Sequence, residues 1–343
     1  MKICVIGGGG AIGGYLAAKL ARAGNQVTVV ARGATLAAIQ KKGLTLHMEN
    51  EPHPITAHVR AVEKITDVGI PDVIMLAVKA HQIEPIVDDL ASIVGPDTVL
   101  IPMQNGIPWW YFQNLPGKFE DFPVETVDAG GQIMKKINPR NVIGCVVYPA
   151  TYSQSPGVIQ HVEGNRFPLG ELDGSQSERI QKISQMMSDA GFKSPVLDDI
   201  RSEIWLKLWG NMTFNPISAL THEHLEGICR NPLTKDLARC MMLEAQTIAE
   251  KLGVVFRVDV ERRISGAEKV GKHKTSMLQD LEAGNNLEID ALLGSVIELG
   301  RITDTLTPCL STVFALTKLL NTKVQSSQGR LALPELPELA VEH

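Results

Sequence analysis

The hydrophobic positions of the first hundred residues form short β-branched runs that alternate with helical patterns. The predicted strands cover residues 2–6, 26–30, 72–78 and 98–102, and the predicted helices cover residues 11–23 and 82–94. This alternation is typical of a parallel sheet with right-handed crossover helices. Over residues 142–172 two strands flank the turn-forming sequence Ser-Gln-Ser-Pro-Gly, which predicts an antiparallel addition to the same sheet.

The pattern becomes almost wholly helical from about residue 177. Long amphipathic segments cover residues 178–190, 200–219, 232–252, 277–299 and 308–321. The change predicts an α/β domain over residues 1–198 and a helical domain over residues 199–325. A tail with two Leu-Pro steps is predicted over residues 326–343. Apolar positions on the outer helix faces are compatible with a homodimer.

Composition and charge narrow the class of protein. The chain has 343 residues, 44% of them hydrophobic, which suffices for two cores and excludes disorder as the main state. A net charge of −5 argues against nucleic-acid binding. No apolar run reaches the ~18–20 residues of a membrane span. We therefore expect a soluble, cytoplasmic protein that binds neither nucleic acid nor a membrane.

The cysteines give no sign of a metal site. They are Cys4, Cys145, Cys229, Cys240 and Cys309. They are scattered along the chain, without the close Cys and His spacing of a zinc site. Their odd number in a chain of this size predicts reduced thiols and no bound metal.

A glycine-rich turn carries the strongest single signal. The sequence Gly8-Gly9-Gly10-Ala11-Ile12-Gly13 follows the strand-like run KICVI and opens a helix of small residues. In this G-x-G-x-x-G pattern we expect Gly8 to form the sharp turn, Gly10 to let the backbone approach a pyrophosphate, and Gly13 to let helix and strand pack closely. The phosphates would lie at the positive end of the helix dipole. The turn predicts a Rossmann-type, dinucleotide-binding domain, with a purely structural loop as the alternative.

The end of the second predicted strand indicates which dinucleotide binds. NAD-binding domains place an Asp or Glu there, ~20 residues after the turn, to bind the ribose 2′-hydroxyl. Here Val30 is followed by Ala31 and Arg32, without an acid. A guanidinium can form paired hydrogen bonds with a 2′-phosphate. Arg32 therefore favours NADP(H), and a solvated surface arginine is the alternative.

One helix of the second half carries polar side chains at four-residue spacing. Lys207, Asn211 and Asn215 share one face of an otherwise apolar helix. A lysine there either extends to water or lies in a partly dry cleft suited to general acid–base chemistry. The asparagines offer neutral donors and acceptors for hydroxyl and carboxylate groups. Spacing alone leaves a structural and a catalytic role open.

Further motifs follow in a fixed order along the chain. They are Val78-Lys79-Ala80-His81-Gln82, Gln104-Asn105-Gly106, VIGCVVYP…SPGVIQHVEG, EIWLKLWGNMTFNPISALT, Ser276-Met277-Leu278-Gln279-Asp280 and Glu288-Ile289-Asp290. With these motifs, the glycine turn and Arg32, residues 2–320 resemble the ketopantoate reductase (2-dehydropantoate 2-reductase) family. The resemblance implies a Rossmann-type α/β domain followed by an all-α domain like that of 6-phosphogluconate dehydrogenase, with the active site in the cleft between them.

The resemblance also implies a reaction and roles for individual residues. The reaction is NADPH-dependent reduction of a 2-oxo acid, 2-dehydropantoate or a close analogue, as in pantothenate biosynthesis. Lys207 would give a proton to the carbonyl oxygen, and Glu288 would orient Lys207. The residues implied to contact substrate are Asn105, Asn211, Asn215 and Ser276, and those implied to contact the cofactor are Gly8, Gly9, Gly10, Ala11, Ile12, Gly13, Arg32, Lys79 and Asn105.

Ordinary structural roles are the alternatives for several of these residues. Asn105 fits a turn before Gly106, and Ser276 fits a helix N-cap. Glu288 fits a solvated acid on the amphipathic helix predicted over residues 277–299.

The chain departs from the family pattern in one aromatic segment. Residues 107–131 are longer and more aromatic than the short helix that usually follows the Gln-Asn-Gly loop. We expect residues 109–112 (WWYF) to narrow or cover the substrate pocket. The departure leaves open a related 2-hydroxyacid, β-hydroxyacid or imine-type dehydrogenase, or a non-catalytic NADP(H)-sensing protein.

Overall fold

The computed structural model describes residues 1–49 and 51–331, which form two compact units. The first unit runs from Met1 to Ile204 and the second begins at Trp205, whereas the sequence pattern suggested a boundary after residue 198. The tail was predicted to begin at Ser326, and in the structure Ser326 is the last residue of the helix that begins at Pro308. Residues 332–343 of that tail lie outside the described residues.

Strands are confined to the first unit within the described ranges. They are β1 Lys2–Ile6, β2 Gln26–Val30, β3 Leu44–Met48, β4 Ile55–Ala57, β5 Arg60–Val62, β6 Val73–Leu76, β7 Val99–Pro102, β8 Ile143–Cys145, β9 Ala150–Ser155, β10 Val158–Glu163 and β11 Leu169–Glu171. Short 3₁₀ turns also occur there, and two of them, with Pro85, replace the start of the helix predicted over residues 82–94.

The α-helices of the described residues lie in both units. They are α1 Ala11–Arg22, α2 Gly33–Lys42, α3 Val87–Ser92, α4 Gln132–Lys136, α5 Glu178–Asp189, α6 Ile200–Thr221, α7 Leu225–Arg230, α8 Pro232–Lys251, α9 Val260–Lys269, α10 Ser276–Ala283, α11 Ser295–Ile302 and α12 Pro308–Ser326. None of these helices is long and apolar enough to span a bilayer.

The main sheet is parallel and has the strand order β5-β2-β1-β6-β7. Its central strand, β1, buries four of its five residues because the run KICVI is apolar on both faces. The chain leaves β1 toward β2 on one side and later returns to β6 on the other. This reversal creates a crevice at the carboxyl edge of β1 and β6, where ligands of such sheets bind.

The strand pair predicted after residue 142 does not extend this sheet. Strands β9 and β10 form an antiparallel hairpin that joins β3 and β4 in a second sheet, with the order β4-β3-β10-β9. The physical reason is the apolar face of β10: Ile159 is fully buried and packs against α1, where a Cβ at Gly14 would lie 2.7 Å from Ile159 Cγ1. The prediction of an antiparallel addition to the parallel sheet was therefore wrong.

The aromatic segment after β7 belongs to the interior of the first unit. Trp109, Trp110, Tyr111 and Phe112 are each at most 2% exposed. The Phe112 ring packs edge-on against neighbouring aromatic rings of the same segment, and a Cβ at Gly144 would meet the Trp110 indole at 2.7 Å. The expectation that residues 109–112 cover a pocket was wrong, because their apolar area is already used in the core.

In the second unit, the long helix predicted over residues 277–299 is interrupted. Helix α10 ends at Ala283, and Gly284 caps it in the left-handed conformation with φ +75°. A π-helical turn over Asp290–Gly294 then leads into α11. Glu288 therefore lies in the irregular segment before this turn, and its predicted place on an amphipathic helix was wrong.

Two cysteines of the second unit also differ from the prediction. Cys240 on α8 and Cys309 on α12 form a disulfide, with their Cα atoms 6.4 Å apart. The prediction of reduced thiols was wrong for this pair, because 69 residues separate the two cysteines along the chain and their meeting depends on helix packing. Cys4, Cys145 and Cys229 are buried and take part in no disulfide among the described residues.

Candidate active site

The glycine-rich turn joins β1 to α1 with little space for side chains. Gly7 has φ +81° and is the left-handed residue of the turn, a role that the sequence pattern assigned to Gly8. Gly8 is needed for space, since a Cβ there would lie 2.6 Å from Val29 Cβ. At Gly13 a Cβ would overlap the Gly7 carbonyl oxygen, so close packing of helix and turn requires this glycine, as predicted. A Cβ at Gly10 would meet only the Gly7 carbonyl oxygen, at 3.2 Å.

The first turn of α1 leaves backbone donors for a ligand. The helix begins at Ala11, and the Gly14 N–H donates to the Gly10 carbonyl at 2.8 Å. Within the described residues, no side chain caps this helix start. The amides of Ala11, Ile12 and Gly13 precede the first helical bond and lack a helical acceptor. With the open face at Gly10, this arrangement fits the pyrophosphate of a dinucleotide.

Arg32 lies directly beyond the end of β2, at the same carboxyl edge of the sheet. It is exposed, and its extended backbone forms the N-cap of α2. Its guanidinium has no ion-pair partner in the described part of the chain. An exposed cation at a helix N-terminus combines two features that favour a phosphate group.

Lys79 and Asn105 follow the next two strands at that edge. Both side chains are half-buried, Lys79 after β6 and Asn105 after β7. The side chain of Gln104 ties the two loops together by donating from Nε2 to the carbonyls of Leu76 at 2.7 Å and Val78 at 2.9 Å. In the sequence, Gln104 is recognised only as part of the Gln-Asn-Gly motif. Its role in fixing the two loops relative to each other was not predicted.

Helix α6 carries the polar face predicted from the sequence. Lys207 and Asn211 are half-buried and one turn apart, and Asn215 is 6% exposed. The opposite, apolar side is held in the core of the second unit, where the Trp209 indole N–H donates to the Met242 carbonyl on α8 at 2.8 Å. This fixed side determines which face of the helix presents Lys207.

Asn215 and Ser276 meet in the structure. The Asn215 amide donates to the Ser276 hydroxyl at 3.4 Å. The sequence left open whether Ser276 caps a helix, but the cap of α10 is Thr275, whose hydroxyl accepts the Leu278 N–H at 3.3 Å. Ser276 is an exposed residue, and its hydroxyl lies beside the Asn215 amide. Two of the residues predicted to contact substrate are thus brought together.

Helix α12 holds the segment that carries Glu288 from both sides. The Leu287 N–H donates to Asn321 Oδ1 at 3.1 Å. Beyond Glu288, Lys318 pairs with Asp290 at 2.7 and 2.5 Å. Glu288 itself is half-buried. No feature of the sequence indicated the role of Asn321, because it depends on the irregular path after α10.

These observations define a class of protein. The first unit has the parallel topology and glycine turn of Rossmann-type domains, and the described part of the second unit contains helices and no strand. The predicted fold class is therefore confirmed. Two family profiles match the chain: "Ketopantoate reductase PanE/ApbA" over residues 3–174 and "Ketopantoate reductase PanE/ApbA C terminal" over residues 199–321. The chain belongs to the ketopantoate reductase PanE/ApbA family, as the resemblance indicated.

Three relatives show how far the similarity extends. A 2-dehydropantoate 2-reductase of Mesorhizobium japonicum is 53% identical over 321 residues, which cover 93% of this chain and 98% of the relative. A crystal structure of a candidate ketopantoate reductase from Ralstonia solanacearum superimposes with a TM-score of 0.89 at 38% identity, covering 95% and 98% of the two chains. The crystal structure of the 2-dehydropantoate 2-reductase from Methylococcus capsulatus superimposes with a TM-score of 0.79 at 28% identity. The match covers 96% of this chain and 100% of that chain.

Proposed function

We propose that the chain is an NADPH-dependent oxidoreductase that reduces 2-dehydropantoate, or a close analogue, to the corresponding 2-hydroxy acid. The observation that most supports this activity is the 53% identity with the Mesorhizobium japonicum 2-dehydropantoate 2-reductase over nearly the whole of both chains. The two family profiles cover the glycine turn in the first unit and the whole of α6.

The first unit supplies the proposed cofactor site. The amides of Ala11, Ile12 and Gly13 would bind the pyrophosphate, and Gly8, Gly9 and Gly10 keep side chains away from it. Arg32 would bind the 2′-phosphate that distinguishes NADPH from NADH. Lys79 and Asn105, on loops tied by Gln104, would hold the nicotinamide end. When bound, NADPH supplies the hydride.

Lys207 is the proposed proton donor. Hydride addition to a carbonyl carbon leaves negative charge on the oxygen, which a positioned ammonium neutralises and then protonates. The half-buried Nζ-bearing side chain suits this role, because it is partly shielded from water yet close enough to solvent to regain its proton. Glu288 would orient Lys207 and favour its charged form. The anchors from α12 on either side of Glu288 support such a positioning role.

The amide and hydroxyl side chains account for binding of the substrate. Asn215 and Ser276 lie 3.4 Å apart and offer one set of donors and acceptors for carboxylate or hydroxyl oxygens. Asn211 lies on the same helix, between Asn215 and Lys207 and one turn from each. Asn105 would contact both substrate and cofactor. These groups are neutral, so they add directional hydrogen bonds without competing with Lys207 for charge.

The proposal is tested by following NADPH oxidation with a panel of branched and unbranched 2-oxo acids that includes 2-dehydropantoate. We expect turnover with 2-dehydropantoate or a close branched analogue and little with unbranched acids. Turnover with another 2-oxo acid alone would identify a related reductase. A protein that binds NADPH and consumes none with any acid would contradict the proposal and indicate a sensing protein.

A further inference from the structure

The disulfide of the second unit lies at a junction between two helices. Cys240 is on α8, and Cys309 is the second residue of α12. Glu244, one turn after Cys240, accepts the N–H groups of Cys309 at 2.8 Å and Leu310 at 3.0 Å. The carboxylate thus caps α12 from a neighbouring helix and brings the two cysteines together.

Each of these helices supports a different part of the proposed catalytic machinery. On α8, the Met242 carbonyl accepts the indole N–H of Trp209, which follows Lys207 by two residues on α6. On α12, Asn321 and Lys318 bind the residues on either side of Glu288. A covalent link between α8 and α12 therefore joins the supports of Lys207 and Glu288.

Among the described cysteines, Cys240 and Cys309 are the two that are accessible enough to react with thiols or disulfides in solution. Cys240 and Cys309 are half-buried, whereas the other three cysteines are buried. Burial raises the pKa of Cys4 to about 12 and that of Cys229 to about 11, which keeps both thiols protonated and unreactive. The potential ligand atoms of Cys240, Glu244 and Cys309 also lie close enough together to hold a metal ion. However, both carboxylate oxygens of Glu244 already accept hydrogen bonds from the first amides of α12.

We propose that Cys240 and Cys309 form a reversible thiol–disulfide site that joins α8 to α12 and controls how firmly the segment around Glu288 is held. The oxidant is a low-molecular-weight disulfide. One thiolate attacks it and releases one small thiol, and the second cysteine displaces the other small thiol to close the protein disulfide. Two protein thiols are oxidised and one small disulfide is reduced to two thiols. Only the catalytic meaning of this switch rests on the proposed function.

The first experiment measures the thiol chemistry directly. The full chain is equilibrated in mixtures of reduced and oxidised glutathione, alkylated, and digested for mass spectrometry. We expect a joined Cys240–Cys309 peptide pair that appears with oxidised glutathione and disappears with reduced glutathione. Cys4, Cys145 and Cys229 should be alkylated only after denaturation. Absence of the joined pair, or its persistence in every reducing mixture, would overturn the proposal.

The second experiment measures the coupling without using turnover. Hydrogen exchange of residues 284–290 is compared in the oxidised and reduced protein. We expect exchange about tenfold slower in the oxidised form, because the linked helix ends restrict local opening. Cys240→Ser and Cys309→Ser should behave like the reduced protein under both conditions, and the buried-thiol control Cys229→Ser should respond like wild type. Equal exchange in both redox forms would refute the coupling, whatever the activity assay shows.

Discussion

Arg32 is the residue on which the proposed cofactor choice depends. It stands immediately after β2, where an NAD-binding domain has an acidic residue for the ribose hydroxyl. Its exposed guanidinium lies at the start of α2, so the helix amides add to the attraction for a phosphate. An acidic side chain at this point would repel the 2′-phosphate, and none is present in the sequence VVARG.

Replacing Arg32 with Ala should weaken NADPH binding about tenfold to a hundredfold, since hydrogen bonds to a charged group contribute about 1.5–3 kcal/mol. NADH affinity should change little, because NADH has no 2′-phosphate. Both affinities can be measured by calorimetry or fluorescence titration. Arg22→Ala, at the exposed far end of α1, is the matched control. An equal loss for both cofactors would contradict the assignment.

At the residue scale, the sequence predicts some contacts and cannot predict others. Lys207, Asn211 and Asn215 could be placed on one face because helical periodicity needs no tertiary information. The capping role of Thr275, in contrast, depends on the backbone angle at which the chain enters α10. Two adjacent hydroxyl residues cannot be distinguished by pattern alone, and the pairing of Ser276 with Asn215 crosses 61 positions of the chain.

At the scale of elements, the turn between β1 and α1 separates two uses of glycine. Gly13 serves packing, because a Cβ there would overlap the Gly7 carbonyl oxygen. Gly10 serves access, because a Cβ there would have only one neighbouring atom, at 3.2 Å, and would point into the region proposed for the pyrophosphate.

Gly13→Ala should lower the free energy of unfolding by about 1–3 kcal/mol, as expected for overpacking against backbone. Gly10→Ala should leave stability within about 0.5 kcal/mol of wild type and weaken NADPH binding by more than its stability change explains. Urea unfolding and NADPH titration of both variants make a matched comparison. If Gly10→Ala destabilises the fold as much as Gly13→Ala, the distinction fails.

Element prediction succeeds where local pattern and burial agree. Strands β1 and β2 occur at their predicted bounds, because parallel strands buried on both faces give continuous apolar runs. It fails for residues 277–299, where Gly284 ends the helix and the polar sequence Asn285-Asn286 follows. The apolar spacing continues across this break, since α10 buries Met277, Leu278 and Leu281 and α11 buries Val296 and Leu299. Periodicity alone therefore cannot show the interruption.

At the scale of the whole molecule, Arg201 anchors the aromatic segment of the first unit. Its buried guanidinium donates to the carbonyls of Tyr111 at 2.7 Å, Gln113 at 2.7 Å and Leu172 at 2.6 Å. Burial lowers the pKa of Arg201, and these carbonyls compensate part of the lost hydration. The long aromatic segment is thereby fixed as core.

Arg201→Met should lower the free energy of unfolding by about 2–4 kcal/mol, because three buried carbonyls lose their donors. The free energy of unfolding of Arg201→Lys should lie between those of Arg201→Met and wild type, since one ammonium group cannot reproduce the planar geometry of the guanidinium. Urea unfolding measures the free energy of unfolding of both variants. The control is Arg22→Met at an exposed position, whose free energy of unfolding should lie within about 0.5 kcal/mol of wild type. A loss of stability no larger than that of the control would show that the segment is held by its apolar contacts alone.

The central claim is that Lys207 protonates a 2-oxo acid during reduction by NADPH. It is tested most directly by measuring kcat for the preferred 2-oxo acid, together with the Kd for NADPH, in wild type and Lys207→Ala. The account predicts that kcat falls about 10²–10⁴-fold, the contribution of a general acid, while the Kd stays within about twofold. The control variant Lys235→Ala, at a half-buried lysine on α8, should retain both values. A fall in kcat of less than about tenfold in a folded Lys207→Ala protein that still binds NADPH would contradict the claim.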